Sequence, residues 1–240
     1  MSKLNSIAKN ILVVTIILLS VNFIFSQTEA EKAGKEIYEK YQKALGGTTN
    51  IEKVRTSETI FEIEKYGSKG KLTVIEDKAN KKSYNLEEIN GKKREIGSDG
   101  SRIWIRSDES YGYYNLPISV DNNLKRIKLP NEKIDGKEYL VIQVTVSDLP
   151  AETTEYYDSA TFLLTYRISS ETIINGQPTE TKIQYANYQK VGDILVPFLE
   201  VTNNYWGTST KKVLSVKQNI EVDSEIFELS PKKKDSPKST

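Results

Sequence analysis

Residues 138–168 read EYLVIQVTVSDLPAETTEYYDSATFLLTYRI, and their periodicity decides the fold. Leu140, Ile142, Val144 and Val146 recur at every second position, with Gln143 and Thr145 between them. A two-residue apolar period is that of a β-strand with one buried face. Tyr156-Tyr157-Asp158 then runs into a turn at Ser159-Ala160, and Phe162, Leu164, Tyr166 and Ile168 resume the alternation. Two such runs joined by a tight turn form an antiparallel pair. The spacing places Leu140, Ile142, Val144, Phe162, Leu164 and Tyr166 on one face.

The same pattern continues in both directions. Towards the C-terminus, Asn175-Gly176 turns into a strand with Ile183, Tyr185 and Tyr188; Val191-Gly192-Asp193 turns into Ile194 to Val201; Trp206-Gly207 turns into Val213 to Ile220. Towards the N-terminus, Phe61 and Ile63 interleave with Glu62 and Glu64. The turn Tyr66 to Gly70 leads to Leu72 and Val74, and Tyr84 and Leu86 follow. Asn90-Gly91 suits a type I′ hairpin turn, because both residues tolerate positive φ. Ser98-Asp99-Gly100 precedes Ile103-Trp104-Ile105. These early strands are charged and are expected to be edge-like or half exposed. Only Thr28 to Leu45 departs from the two-residue period: Ile37, Tyr41, Ala44 and Leu45 are spaced as on an amphipathic helix, which Gly46-Gly47 ends.

About ten or eleven strands in a meander make a sheet that curls instead of staying flat. The predicted fold is mainly β: a large curved antiparallel sheet, a half-open β-barrel, with the N-terminal helix packed on its concave face.

Composition narrows the chemistry. The chain of 240 residues has 34 Lys+Arg against 33 Asp+Glu, no His and no Cys, and is 37% hydrophobic. That apolar fraction is below the ~45–50% of ordinary globular chains and favours sheets with one apolar face. Without His and Cys there is no His general base, Cys nucleophile, disulfide or zinc site of the usual kind. The balanced charge argues against nucleic acid, which requires a basic footprint.

Residues 1–26 read as a signal peptide. Lys3 and Lys9 precede Ile11 to Phe25, a run of fifteen almost entirely apolar residues, and Ser26 is a small residue before the expected cleavage site. A retained N-terminal anchor stays open, since Ile24, at −3, is not small. The expected folded domain is residues 27–230, followed by a charged, disordered tail at 231–240. No Cys means no lipobox, so the chain is not itself a lipoprotein.

The helix ending Tyr41-Gln42-Lys43-Ala44-Leu45-Gly46-Gly47, followed by Ile51 to Val54 and a strand, resembles the start of the LolA/LolB-like superfamily of outer-membrane lipoprotein-sorting proteins. So do Tyr157 to Leu164, with Asp158 before the turn, the stretch Val191-Gly192-Asp193-Ile194-Leu195-Val196-Pro197, and the closing Val222-Asp223-Ser224-Glu225-Ile226-Phe227. The resemblance covers most of residues 30–229. Family members usually have a longer middle with helices, whereas here only Ser107 to Ile134 fill it, so a mobile helical lid is shortened or missing. The resemblance implies an exported protein of the periplasm or cell envelope of a Gram-negative bacterium, or a secreted one. It implies an apolar ligand, lipid or acylated lipoprotein as cargo, with a membrane-associated partner.

Catalysis is poorly supported. Glu62/Glu64 and Glu152/Glu155 are the candidate carboxylate pairs for acid–base work, but Glu62 and Glu64 are expected to face solvent. Asp77, Asp99, Asp158 and Asp193 each sit beside a turn, where Asp bonds its own backbone. There is no nucleophile elbow or phosphate loop. Neither a metal nor a cofactor is expected. Among aromatics, Tyr111, Tyr113, Tyr114, Tyr156 and Tyr157 could rim a cavity, and Trp206, before a turn glycine, is either a contact site or packed across strands. Lys92-Lys93-Arg94 either solubilises its hairpin or meets a lipid headgroup.

Two functions follow. The protein is a carrier with an apolar ligand between the concave sheet and the helix, contacted by Ile37 and Tyr41 from the helix and by Phe162, Leu164 and Ile183 from the sheet. Alternatively it is a non-catalytic structural or interaction domain whose hollow is filled by its own helix.

Overall fold

The computed structural model describes residues 28–114, 124–146, 152–174 and 177–229. The expected leader and tail lie outside these residues. Helix α1 spans 28–44. It stops where predicted: Gly46 and Gly47 take φ of +121° and +88°, and the Gly47 N–H donates to the Gln42 carbonyl at 2.9 Å. A short helix, α2 (Thr48–Lys53), leads into the sheet.

Thirteen strands follow among the described residues: β1 (Thr56–Lys65), β2 (Ser68–Asp77), β3 (Lys82–Ile89), β4 (Lys92–Ser98), β5 (Ile103–Arg106), β6 (Tyr111–Tyr114), β7 (Leu124–Ile134), β8 (Lys137–Val146), β9 (Glu152–Asp158), β10 (Leu164–Ile174), β11 (Gln177–Val191), β12 (Ile194–Asn204) and β13 (Gly207–Gln218). They form one antiparallel sheet in the order β6-β5-β4-β3-β2-β1-β13-β12-β11-β10-β9-β8-β7, curved into a half-barrel and not closed. The strands beyond the predicted count are β6 and β7, and they are its two edges. β7 carries Lys125, Arg126, Lys128 and Pro130 and a bulge between Leu129 and Glu132. Charge, proline and bulges protect a free edge from further pairing, and they also hide a strand from a periodicity test. Both strands lie within Ser107 to Ile134, the segment that is shorter here than the usual helical middle of the family, where a lid was expected to be shortened or missing.

Hairpin turns follow the expected chemistry. Asn90-Gly91 and Asp135-Gly136 both have positive φ at both positions, as a type I′ turn requires. Asp158 accepts from the N–H groups of Ala160 and Thr161 at 2.8 and 2.9 Å and pairs with Lys137. Burial pushes the Asp158 carboxyl up, but the Lys137 ammonium and these backbone donors outweigh it and hold it below the usual range.

The face that carries α1 is the inner face. On it Ile37, Ile142, Tyr157 and Leu164 are buried together, with Tyr41, Leu140, Val144 and Tyr185 packed against them. Four buried side chains of this kind contribute roughly 1.5–3 kcal/mol each. The sheet is not one-faced, however. Tyr139, Val141 and Tyr156 are buried on the outer face of β8 and β9, with Leu129, Ile134, Tyr166 and Ile168 around them. The rings of Tyr139 and Tyr166 stand 5.6 Å apart. Tyrosine explains the departure: Tyr139, Tyr156 and Tyr166 lay large amphipathic rings on this outer face, where the two-residue alternation led one to expect polar side chains.

Tyr166 also corrects the predicted register. The β9–β10 ladder shifts between Leu164 and Tyr166, so that Tyr157 pairs with Leu164 and Tyr156 with Tyr166. A bulge inserts one residue and reverses the faces beyond it. Leu164 therefore stays inner with Leu140, Ile142 and Val144, and Tyr166 turns outward.

The chain end crosses the opposite face of the other half. The 3-10 turn Ser224–Phe227 buries Phe227 against Tyr84 and Trp104, with Ile75, Leu86, Val222, Ile226 and Leu229 around them. The Trp104 indole N–H donates to the Phe227 carbonyl at 2.7 Å. The space under the indole exists because Gly97 has no side chain: a Cβ there would lie 2.3 Å from the ring.

Candidate functional site

Strand register assigns side chains to the inner face, because residues directly opposite in an antiparallel ladder share a face. Across β7–β11 that face lies under α1. Ile37 and Leu164 are 6% and 3% exposed, and Tyr41 meets the Tyr157 ring at 5.2 Å. The structure thus brings together three of the five residues singled out from sequence: Ile37, Tyr41 and Leu164. Ile183 is on the same face, opposite Arg167, and remains partly accessible. Phe162 is not on a strand face. It occupies the β9–β10 turn at φ +59°, its N–H bonded to the Asp158 carbonyl, and Lys40 of α1 lies 5.2 Å above its ring. The Asp158-centred turn is longer than the sequence suggests, which displaces Phe162 from the alternation.

A polar network sits under the helix beside this cluster. The Arg167 guanidinium donates to one Glu155 oxygen at 2.8 and 3.1 Å, and the Tyr157 hydroxyl donates to the other at 2.5 Å. Arg167 also reaches the Tyr185 hydroxyl at 3.4 Å. Burial pushes the Tyr41 phenol up to about 12, with the Glu155 charge adding to it. Tyr157 and Tyr188 are raised likewise, first by burial. These phenols therefore stay protonated at neutral pH and act as donors. The Tyr188 hydroxyl donates to the Leu164 carbonyl at 2.8 Å, closing the bulge. Farther along, Glu200 pairs with Lys211 and Lys65 with Glu87. The inner face is thus apolar ground crossed by ion pairs.

The other half of the inner face differs. In β1–β5 the register puts Phe61, Val74, Ile89, Ile96, Ile103 and Ile105 on it, and each remains partly accessible. Ile63, Leu72 and Val213 lie buried among them. This surface was missed from sequence because its strands alternate with charges and read as edge-like. The signal was present in Phe61/Ile63 and Ile103/Ile105. A separate cleft of about 420 Å3 opens between α1 and β7, lined by Tyr38, Gln42, Leu124 and Arg126 among others. The Arg126 guanidinium lies 3.9 Å over the Tyr38 ring.

The remaining sequence candidates resolve simply. Glu62 and Glu64 are exposed. Glu152 and Glu155 are three apart on a strand and so point to opposite faces; Glu155 is the buried partner of Arg167, and Glu152 accepts from Gln143. Tyr156 and Tyr157 likewise separate into the outer and inner clusters and rim no cavity with β6. Trp104 is buried and Trp206 is 66% exposed. Among the described residues no group of His, Cys, Asp or Glu is arranged to hold a metal, and no helix is long and apolar enough to cross a membrane.

No family model matches the chain. A stretch of 132 residues, 55% of the chain, is 24% identical to ATP-binding cassette sub-family A member 13 of Homo sapiens, and it spans only 2% of that protein. Solved structures are similar over most of the chain. A LolA superfamily protein from Nitrosomonas europaea superposes with a TM-score of 0.58 at 13% identity, covering 81% of this chain and 97% of that one. A domain assigned to outer membrane lipoprotein-sorting proteins, from Vibrio parahaemolyticus, gives 0.55 at 13% identity, covering 82% and 97%. A DUF1329 family protein from Desulfovibrio piger gives 0.55 at 12% identity, covering 81% and 97%. The curved sheet with its N-terminal helix is thus the half-barrel fold of the LolA superfamily and of outer-membrane lipoprotein-sorting domains.

Proposed function

We propose that this protein is a non-catalytic carrier, exported to the cell envelope, that holds an apolar ligand on the inner face of its half-barrel. The acyl chain of a lipid or of an acylated lipoprotein is the ligand class that fits. One observation carries this reading: the partly accessible apolar run Phe61, Val74, Ile96, Ile103 and Ile105, continuous with the face that α1 covers. A ligand seated there extends under α1 by displacing Ile37 and Tyr41 from Leu164, and Ile183 lies on its path. Burying a twelve-carbon chain yields about 9 kcal/mol at ~0.8 kcal/mol per CH2, enough to compete with a few helix side chains. Residues 27–230 form the carrier domain in this reading, and residues 1–26 are the leader that directs export.

A second reading has its own observation. Ile37 is already packed to 6% exposure in the cluster with Ile142, Tyr157 and Leu164, as in a domain whose hollow is self-filled. The two differ in one measurement. A carrier binds a fluorescent fatty-acid probe at tens of micromolar, and Ile105→Asp or Ile37→Trp weakens that binding at least tenfold while urea unfolding remains cooperative. If the unaltered protein binds no probe, the self-filled domain stands and the carrier does not.

A further inference from the structure

Trp206 takes no part in the inner face. It lies in the two-residue β12–β13 turn with Tyr205, their rings perpendicular and 5.1 Å apart. Because β1 pairs with β13, this turn is beside the β1–β2 turn: the Tyr66 N–H donates to the Thr208 carbonyl at 3.3 Å. Tyr66 adopts φ +51°, a conformation a bulky side chain rarely takes. Its hydroxyl lies 3.5 Å from the Asn204 side-chain oxygen, and the Trp206 N–H donates to that same oxygen at 2.9 Å. Three large aromatics are thus held at one end of the sheet, 53%, 58% and 66% exposed for Tyr66, Tyr205 and Trp206. The β3–β4 turn joins the row through Asn90, whose amide donates to Ser68 at 3.2 Å.

Cations flank them. Lys69, Lys92 and Arg94 are exposed and take no part in an ion pair among the described residues, whereas Lys93 pairs with Glu88 and Glu64 stands opposite Lys69. Tyr and Trp, with an apolar ring and a polar edge, are the side chains that favour a membrane–water interface. Lys and Arg beside them are drawn to anionic headgroups.

We propose that this end of the sheet, with Tyr66, Tyr205 and Trp206 as wedges and Lys69, Lys92 and Arg94 as flanking cations, docks on the surface of an anionic phospholipid bilayer. The three aromatics lie in turns and off the ligand face, while Lys92 and Arg94, opposite Ile89 and Glu87, stand at its rim; the test reads Trp206 and not ligand uptake, so it stands or falls independently of the carrier reading.

The chain has two tryptophans, which makes the test specific: Trp104 is 1% exposed, so a fluorescence change on docking belongs to Trp206. The full chain is mixed with phosphatidylcholine vesicles with and without phosphatidylglycerol, carrying bromine-labelled lipid as quencher. Retention on vesicles is not the readout, because the apolar run Ile11 to Phe25 holds every variant there. Quenching and a blue shift of Trp206 on the anionic vesicles, lost in Trp206→Phe, are expected. Each cation is worth roughly a fivefold change in partition, so the triple change Lys69→Glu, Lys92→Glu and Arg94→Glu lowers docking at least a hundredfold, and high salt does likewise. Equal quenching on uncharged vesicles, or an unchanged triple variant, overturns the electrostatic part. A Trp206 that stays unquenched by bromolipid and open to acrylamide overturns the whole proposal and leaves a protein partner for this end.

Discussion

The two halves of the sheet are built with opposite faces covered. In β7–β11 the inner face is filled by α1, and tyrosines make a second cluster outside. In β1–β6 the outer face is covered by the chain end at Phe227, and the inner face keeps accessible apolar side chains. A curved sheet must bury apolar surface somewhere, and this chain does so with one short element per half, placed on opposite sides. The consequence is an inner surface covered by α1 in one half and left partly accessible in the other.

That contrast can be broken from either side. The largest effect is expected at Trp104. Trp104→Ala removes the anchor of the chain end and should cost about 3–5 kcal/mol, measured by urea unfolding. Ile142→Ala in the other half should cost about 2–5 kcal/mol, while Gln143→Ala next to it stays within about 0.5 kcal/mol. A loss at Trp104 well below that at Ile142 would mean that the chain end is an ornament on the first half and not its cover. Next comes the pair of buried Glu155 with part-exposed Arg167. Glu155→Gln leaves Arg167 facing an uncharged partner and should destabilise by about 1–3 kcal/mol, and adding Arg167→Met should recover part of it. If the double variant is no better than the single, the network is held by its tyrosines and the ion pair is incidental.

The smallest effect is in acid. The folded Asp158 carboxyl is held below its unfolded value of about 3.9. Its contribution is therefore complete above that value and declines as pH falls through the folded one. Asp158→Asn should flatten the acid limb of a stability profile, with little change in its slope near neutrality. A limb just as steep in the variant assigns acid loss to other carboxylates, of which Asp99 and Glu95 are both held low. At Asp99 burial pushes upward, and bonds from Ser101 and Arg102 outweigh it; at Glu95 the Arg106 guanidinium is the main cause.

Much of this was legible in the chain, and the exceptions share a cause. The helix end at Gly46-Gly47, the Asn90-Gly91 turn and the inner row Leu140, Ile142 and Val144 follow from local rules that tertiary packing does not override. Tyr166 was assigned to the wrong face because one inserted residue in β10 inverts a two-residue period, and a bulge has no signature in apolar alternation. β6 and β7 escaped because edge strands are selected to look unlike strands. At the candidate site, the register of β8 and β10 placed Leu164 beside the helix stripe of Ile37 and Tyr41. The open apolar surface of β1–β5 was not seen, since its value depends on which face α1 leaves uncovered, and that is a three-dimensional fact. Trp206 was noted only as a choice between packing and contact, and its 66% exposure speaks against packing across the strands.

The pairing of β1 with β13 carries a consequence for how the molecule comes into being. The first strand is bonded in the middle of the sheet to the last, Ser57 opposite Gln218. A chain emerging from its N-terminus can zip β1 to β6 and then β7 to β12 as two local meanders, each by short-range closure. The seam between them must wait for the final strand, so β1 and β12 both present raw edges until Gly207–Gln218 arrives. Long-separation pairing is slow, and raw edges invite the wrong neighbour. A chain cut short before Gly207 should consequently collect as aggregate even though most of its hairpins are intact, and a partner that holds the nascent chain has its most useful moment just before the last strand is released.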